Sequence, residues 1–323
     1  MAGDGPVSGF GFRVDGGQVE RVDADRALGC GGDLVWTHLA AHDERARAWL
    51  GERAGLSAYV VDALTATETR PRCDQFEDGA LVNLRGRTDE EMETGDPLAS
   101  VRIWATRGRV FSVARKRLSA LAAVERSVES DAIRDPGDLI AAFASAITAD
   151  LDPHVAELGD QLDAAEESLY SEKVFDLRRT VNRVRSEAIG YRRFLNPQRA
   201  ALEKLAGLPG DWIADDDRLH LAAAADRAAR MAEELEAIRE RSALMTDALT
   251  DMRGEQLNQR SLLLSVAALV FLPLTFITGL YGMNVEGLWL ADRPWAFDAI
   301  VGLCALIAAL VAAYFVWKRW VTG

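Results

Sequence analysis

A chain of 323 residues, 49% of them hydrophobic and 27% charged, has the material for one sizeable soluble core and something more. Its formal net charge of -13 excludes nucleic acid as a partner, because binding phosphate backbones needs basic patches that displace counterions. Three widely separated cysteines, Cys30, Cys73 and Cys304, form no CxxC pair, which excludes a disulfide framework and a thiolate zinc site and fits a reducing compartment.

From Phe10 to about Arg115, short β-rich runs alternate with helical stretches such as Asp43 to Arg53. Leu34 to Leu39, Ala80 to Arg85 and Val101 to Ala105 are the clearest runs, and Gly79, Gly95 and Gly108 punctuate the turns. Met1 to Arg13 has no basic n-region followed by an apolar h-region, so this part is expected to stay in the cytoplasm. The acidic segment from Asp89 to Asp96 reads as a solvated hairpin loop, with cation sensing as the sharper alternative. His38 and His42 have a ligand-like spacing, but that spacing brings two rings together only on a helix and His38 sits in a strand-like run. A structural role is expected for His38, and His154 and His220 lie alone on helical stretches. Residues 1–135 form the expected α/β domain.

Beyond Asp138 strand signals vanish and Ala, Leu, Glu and Arg dominate, which predicts two long antiparallel helices over 136–213. Asn196-Pro197 and Leu208-Pro209-Gly210 are expected to interrupt them. Asp215-Asp216-Asp217 then supplies an N-cap and negative charge for the first turn of a new helix, and no chemistry is assigned to these residues. Over 214–260 apolar or small residues recur at steps of three and four: Ala224, Ala228, Met231, Leu235, Ile238, Ser242, Met245, Leu249 and Met252. The seam predicts a coiled-coil-like stalk. Continued through Gly254 into the apolar stretch that follows, the helix measures about 64 residues and roughly 95 Å.

Two stretches without charge, Ser261 to Leu280 and Ala299 to Trp317, each span roughly the 30 Å of a bilayer's hydrocarbon. Residues 261–323 are therefore expected to form a two-helix transmembrane domain with a short external loop. Arg253 and Arg260 precede the first span and Lys318 and Arg319 follow the second, while the loop holds only Arg293. This bias places both termini in the cytoplasm of an inner-membrane protein. The fold class expected is an α+β cytoplasmic domain, with a mixed sheet and then long helices, followed by two transmembrane α-helices, the stalk continuing into the first of them.

Steps of three and four inside the first span pick out Asn258, Ser261, Ser265, Ala268, Leu272, Thr275, Gly279 and Gly282, more polar or smaller than the residues around them. Such a stripe either lines a water-filled path or lets helices approach closely. Two helices cannot enclose a pore, so conduction requires a ring of identical subunits. A membrane-anchored coiled-coil scaffold that conducts nothing suits the rest of the pattern equally. None of the four lysines lies in a Gly-rich phosphate loop and no nucleophile-base pair has credible spacing, so neither an ATP-driven pump nor an enzyme is expected, and no cofactor.

Tyr281-Gly282-Met283-Asn284 closes the first span, followed by a short loop with Glu286 and Asp292. Here the chain resembles the CorA family of metal-ion transporters, whose signature is Gly-Met-Asn before a short external loop and a final helix. Phe271 through Leu280, Thr69-Arg70-Pro71-Arg72 and Leu34 through Leu39 resemble its zinc-transporting ZntB branch. The resemblance implies a homopentamer, an α/β funnel, a pore lined by the stalk helix, and zinc as the transported ion with proton coupling as its drive. It implies a ring of Asn284 carbonyls at the outer mouth holding a hydrated dication, with Gly282 and Met283 beside it. Further in, Thr275 and Asn258 match polar pore positions and Leu272 and Leu264 match hydrophobic constrictions. Glu286 and Asp292 either concentrate cations at the mouth or are simply solvated loop residues. Two departures point to magnesium, cobalt or nickel instead: Met283 where an aliphatic residue is common in that branch, and Glu286-Gly287-Leu288-Trp289 in place of Gly-Gly-Ile-Pro. Zinc also favours Cys and His, and the stripe contains neither.

Overall fold

A computed structural model describes residues 7–40, 44–67, 70–88, 98–170, 174–210, 212–283 and 293–322. The chain divides into two compact units, Met1–Thr246 and Asp247–Gly323. In the first, β1 (Gly9–Asp15), β2 (Gln18–Val22), β3 (Leu34–Ala40), β4 (Arg72–Phe76), β5 (Gly79–Arg87), β6 (Leu98–Thr106) and β7 (Arg109–Ala114) form one sheet. Its order is β2-β1-β3-β7-β6-β5-β4. Neighbours are antiparallel except β3 and β7, which run parallel with Val35 opposite Arg109 and Ala40 opposite Ala114. The tight turn from β6 to β7 passes through Gly108 at φ +69°, a left-handed backbone that a side chain would strain.

Helices cover both faces, which is why β3 reads as a nearly unbroken apolar run. On one face α1 (Ala24–Leu28), α2 (Glu44–Ala48), the π-helical turn Trp49–Arg53 and α3 (Ala58–Thr65) bury Trp49, Leu50, Val61 and Leu64 against Leu39, Trp104 and Phe111. The expected helix from Asp43 to Arg53 is thus two helical types in series, with Asp43 itself outside the described residues. The other face carries α4 (Leu121–Glu129), α5 (Pro136–Glu167), α6 (Val174–Ala206) and the start of α7 (Asp215–Tyr281). Trp36 anchors this larger core: its ring stacks on Phe12 at 5.6 Å, meets Phe143 edge-on, and donates Nε1–H to Ser112 Oγ at 2.7 Å.

One expected boundary is corrected. Asn196-Pro197 does not interrupt its helix; α6 runs through Pro197 to Ala206. Proline's fixed φ is helical, and its cost is the lost hydrogen bond to the Arg193 carbonyl and the crowding of its ring against that carbonyl. Packing outweighs it, since Leu195, Ala201 and Leu202 are buried and Gln198 Oε1 accepts from the Arg85 backbone N–H of β5 at 2.7 Å. The stop at Leu208-Pro209-Gly210 is real, and α7 begins at Asp215.

The seam of the stalk is spent inside the chain. Ala224, Ala228, Met231, Leu235, Ile238, Ser242 and Met245 are all buried in a single copy. Arg241 reaches Glu166 of α5 at 2.8 Å and Arg192 of α6 reaches Glu236 at 3.1 Å. Solvent screens these exposed pairs, so the apolar seam carries the packing. In the second unit α7 continues without a break to Tyr281, and α8 (Ala296–Thr322) follows.

Candidate functional site

Helix α7 is 67 residues long, about 100 Å at 1.5 Å per residue. Its apolar segment and that of α8 are long and apolar enough to cross a membrane. Neither is a core helix: in the most apolar window of α7 nothing is buried, and in that of α8 only 6% is. The two helices shield each other on one side only. Along α7 the partly covered residues are Val266, Val270, Pro273, Leu274, Ile277 and Tyr281; along α8 they are Ile300, Cys304, Ile307, Ala308, Val311 and Phe315.

At about 100° of turn per residue, the covered face of α7 and the stripe from Ser261 to Gly282 lie about 180° apart. Ser261, Ser265, Ala268, Leu272, Thr275, Gly279 and Gly282 are all exposed, Leu272 at 75%. Leu264, 73% exposed, flanks the stripe, and Asn258 is exposed just below the span. The small residues of α7 are therefore not there to admit α8. A Cβ added to Gly279 would meet nothing within 4 Å, so no neighbour inside the chain asks for glycine at that position.

The stripe is also not a prolongation of the stalk seam, as steps of three and four suggest. Met252 to Asn258 is a step of six, which turns the helix by about 240° and moves from the buried face to an open one. The alternating steps of three and four amount to a strict heptad: Gly254, Ser261, Ala268, Thr275 and Gly282 recur every seven residues, as do Asn258, Ser265, Leu272 and Gly279. Gly254, on its own no more than a tolerated weak point in a helix, belongs to this series. A seven-residue period keeps one face inward only if helices wind around each other with a left-handed twist.

Chemically, the stripe offers acceptors. Ser265 donates its hydroxyl to the Ser261 carbonyl at 2.9 Å, and the neighbouring Thr278 donates to the Leu274 carbonyl at 3.0 Å. With its proton committed to the helix, the Ser265 oxygen presents lone pairs on the stripe, which suits the outward O–H groups of a hydrated cation, while Thr278 lies about 90° round the helix from the stripe's centre. The helix ends where Gly282 N–H bonds the Thr278 carbonyl at 2.9 Å; a Cβ there would sit 3.1 Å from that same oxygen. This C-terminus carries roughly half a negative charge, placed just before Met283 and the following Asn284. Asn284, Glu286 and Asp292 lie outside the described residues, as do His42, Thr69 and the segment Asp89 to Asp96.

His38 is 4% exposed, buried within the sheet. Ser112 Oγ accepts the Trp36 Nε1–H and lies within hydrogen-bond distance, 2.8 Å, of His38 Nδ1, which ties the ring to the sheet. Burial lowers its pKa to about 4. The unfolded chain therefore binds a proton first, and roughly 3 kcal/mol of stability present above pH 6.5 is lost as the pH falls to about 4. Thermal melts between pH 7 and pH 4 should show this slope, and it should flatten in His38→Gln. His154 Nδ1 lies 3.2 Å from Arg87 Nη1, and His220 is exposed on α7. Cys30, Cys73 and Cys304 are free thiols.

A two-span membrane protein with a large α/β domain and an uncovered acceptor-lined stripe on its first span is the class that fold and site define. The family described as CorA-like Mg2+ transporter protein matches residues 31–319. The chain belongs to this CorA family of divalent-cation transporters, and it is not an enzyme. It is 28% identical over 285 residues, 88% of its length and 86% of the relative's, to the zinc transport protein ZntB of Pectobacterium atrosepticum. It is 32% identical over 288 residues to the divalent cation transporter CmaX of Pseudomonas aeruginosa, again with 88% and 86% of the two chains covered. Its fold matches the solved full-length CmaX structure with a TM-score of 0.79, at 29% identity and with 98% and 99% of the two chains covered. The magnesium transporter CorA of Methanocaldococcus jannaschii has the same fold, with a TM-score of 0.79 at 17% identity over 96% and 97% of the two chains.

Proposed function

We propose that copies of this chain, five by the stoichiometry the family resemblance implies, gather their α7 stripes around an axis and pass hydrated zinc into the cytoplasm. The observation that carries the reading is the orientation of the stripe: it points away from α8, exposed along its length, with a heptad period. In a bilayer a face bearing Ser261, Ser265, Thr275 and two glycines has no reason to meet lipid, whereas Phe271 and Phe276 beside it do. Gly282, Met283 and Asn284 would then form the outer mouth, Thr275 and Asn258 polar rings, and Leu272 and Leu264 constrictions that gate by dewetting. Glu286 and Asp292 would raise the local cation concentration. Both termini would face the cytoplasm.

No ATP is required for uptake. A dication moving inward gains about 4.6 kcal/mol per 100 mV, enough for roughly 2000-fold accumulation. Zinc and proton coupling rest on the likeness to the ZntB relatives. Magnesium, cobalt or nickel driven by voltage alone is the second reading, favoured by a described stripe without Cys or His and by Met283. Purified protein in liposomes separates them. Zinc flux that a pH gradient stimulates supports the first; magnesium or cobalt flux that follows voltage and ignores pH replaces it with the second; no flux of any of the four ions would leave the scaffold.

A further inference from the structure

Far along the sequence from the membrane segment, three carboxylates converge where two helices begin. Asp135 caps α5, Asp138 lies in its first turn, and Asp217 lies in the first turn of α7; ligand atoms of all three fall within 4.8 Å of one another. Each already uses one oxygen on a backbone N–H. Asp135 Oδ1 accepts from Asp138 at 3.0 Å, Asp138 Oδ2 from Arg134 at 3.0 Å, and Asp217 Oδ2 from Ala214 at 2.7 Å. Capping explains those three oxygens and not the convergence.

Two observations make this more than an acidic surface. Asp217 is 0% exposed, and its second oxygen, Oδ1, is buried with no hydrogen-bond partner. Gly137 is the reason it fits: a Cβ there would lie 2.2 Å from Asp217 Oδ2, so the first turn of α5 is left open for this carboxylate. Among the described residues no lysine or arginine pairs with any of the three. Three negative charges face two helix N-termini worth about half a positive charge each, leaving about two negative charges. One dication neutralises that remainder.

We propose that Asp135, Asp138 and Asp217 hold a hard divalent cation, of the magnesium, calcium or manganese class, that fastens the head of α7 to the head of α5. The donors are all oxygen, which selects hard ions over zinc. Asp135 and Asp138 are half-buried, so water can complete the coordination shell from their side. Without a cation the arrangement is electrostatically uneasy: burial first, then the Asp135 charge, a carboxyl hydrogen bond with Asp138 and the Asp138 charge, push the Asp217 pKa up to about 7 against the Ala214 N–H that lowers it.

Hydrogen exchange of the full chain in detergent, with magnesium, calcium or EDTA, tests the site separately from the pore. At a cation concentration ten times the dissociation constant, exchange over residues 134–142 and 212–222 should slow about tenfold. Asp217→Asn and Asp138→Asn should each remove that response, and Asn284→Ala should keep it whatever happens to flux. Should Asp217→Asn fail to fold, the half-buried Asp138→Asn carries the same comparison. Exchange that ignores all three conditions in the wild type means a proton shared among carboxyls and overturns the proposal. So does a cation response that survives in the aspartate variants.

Discussion

With leucine in place of Gly279, divalent-cation uptake falls by roughly a hundredfold or more, while the first unit keeps its thermal stability. Overpacking a close helix contact costs about 1–3 kcal/mol, and the cost is repeated in every copy around a ring. Among the described residues of one chain, nothing lies within 4 Å of a Cβ added at Gly279. Gly302 supplies the matched control. A Cβ added there also meets open space, but Gly302 sits on the face of α8 turned away from α7. Gly302→Leu should be tolerated if that face meets lipid. Liposome flux and the assembled size in mild detergent read both variants, and equal, unimpaired flux would place the stripe in lipid as well.

Asn284→Ala should abolish uptake, by about tenfold at the least, without disturbing assembly. In the sequence Asn284 follows directly on Gly282 and Met283, just past the end of α7, and in the proposed pore its carbonyl would accept from the water shell of an arriving ion. Losing one such hydrogen bond to a charged species costs about 1.5–3 kcal/mol, which a symmetric ring multiplies. A scaffold would be indifferent to the change, so normal flux in an assembled Asn284→Ala protein removes the role given to this residue.

Local chemistry made much of this architecture legible. The runs at Leu34, Ala80 and Val101 are strands because β-branched and aromatic residues suit a doubly covered sheet, and the two charge-free stretches are membrane helices because nothing else buries them. The parallel pairing of β3 with β7 was not legible, since register between residues 74 positions apart is a tertiary outcome. Pro197 misled for the opposite reason: a local breaker was overruled by burial of its neighbours. The stripe's composition could be read directly, but its azimuth depended on a six-residue step and on where α8 lies. Asp138 and Asp217 are 79 positions apart, and each alone looks like a helix cap.

An uncovered α7 has a consequence for how such a protein is measured. Among the described residues the stripe face of its apolar segment is exposed, so in the proposed assembly the subunit's membrane part would be completed only by association. Its midpoint of denaturation should then depend on the mole ratio of protein to lipid, rising as subunits are concentrated in the bilayer. A point mutation on the stripe and a simple dilution into excess detergent would look alike in a single melting curve. Titrating the lipid is what tells weakened chemistry from weakened company.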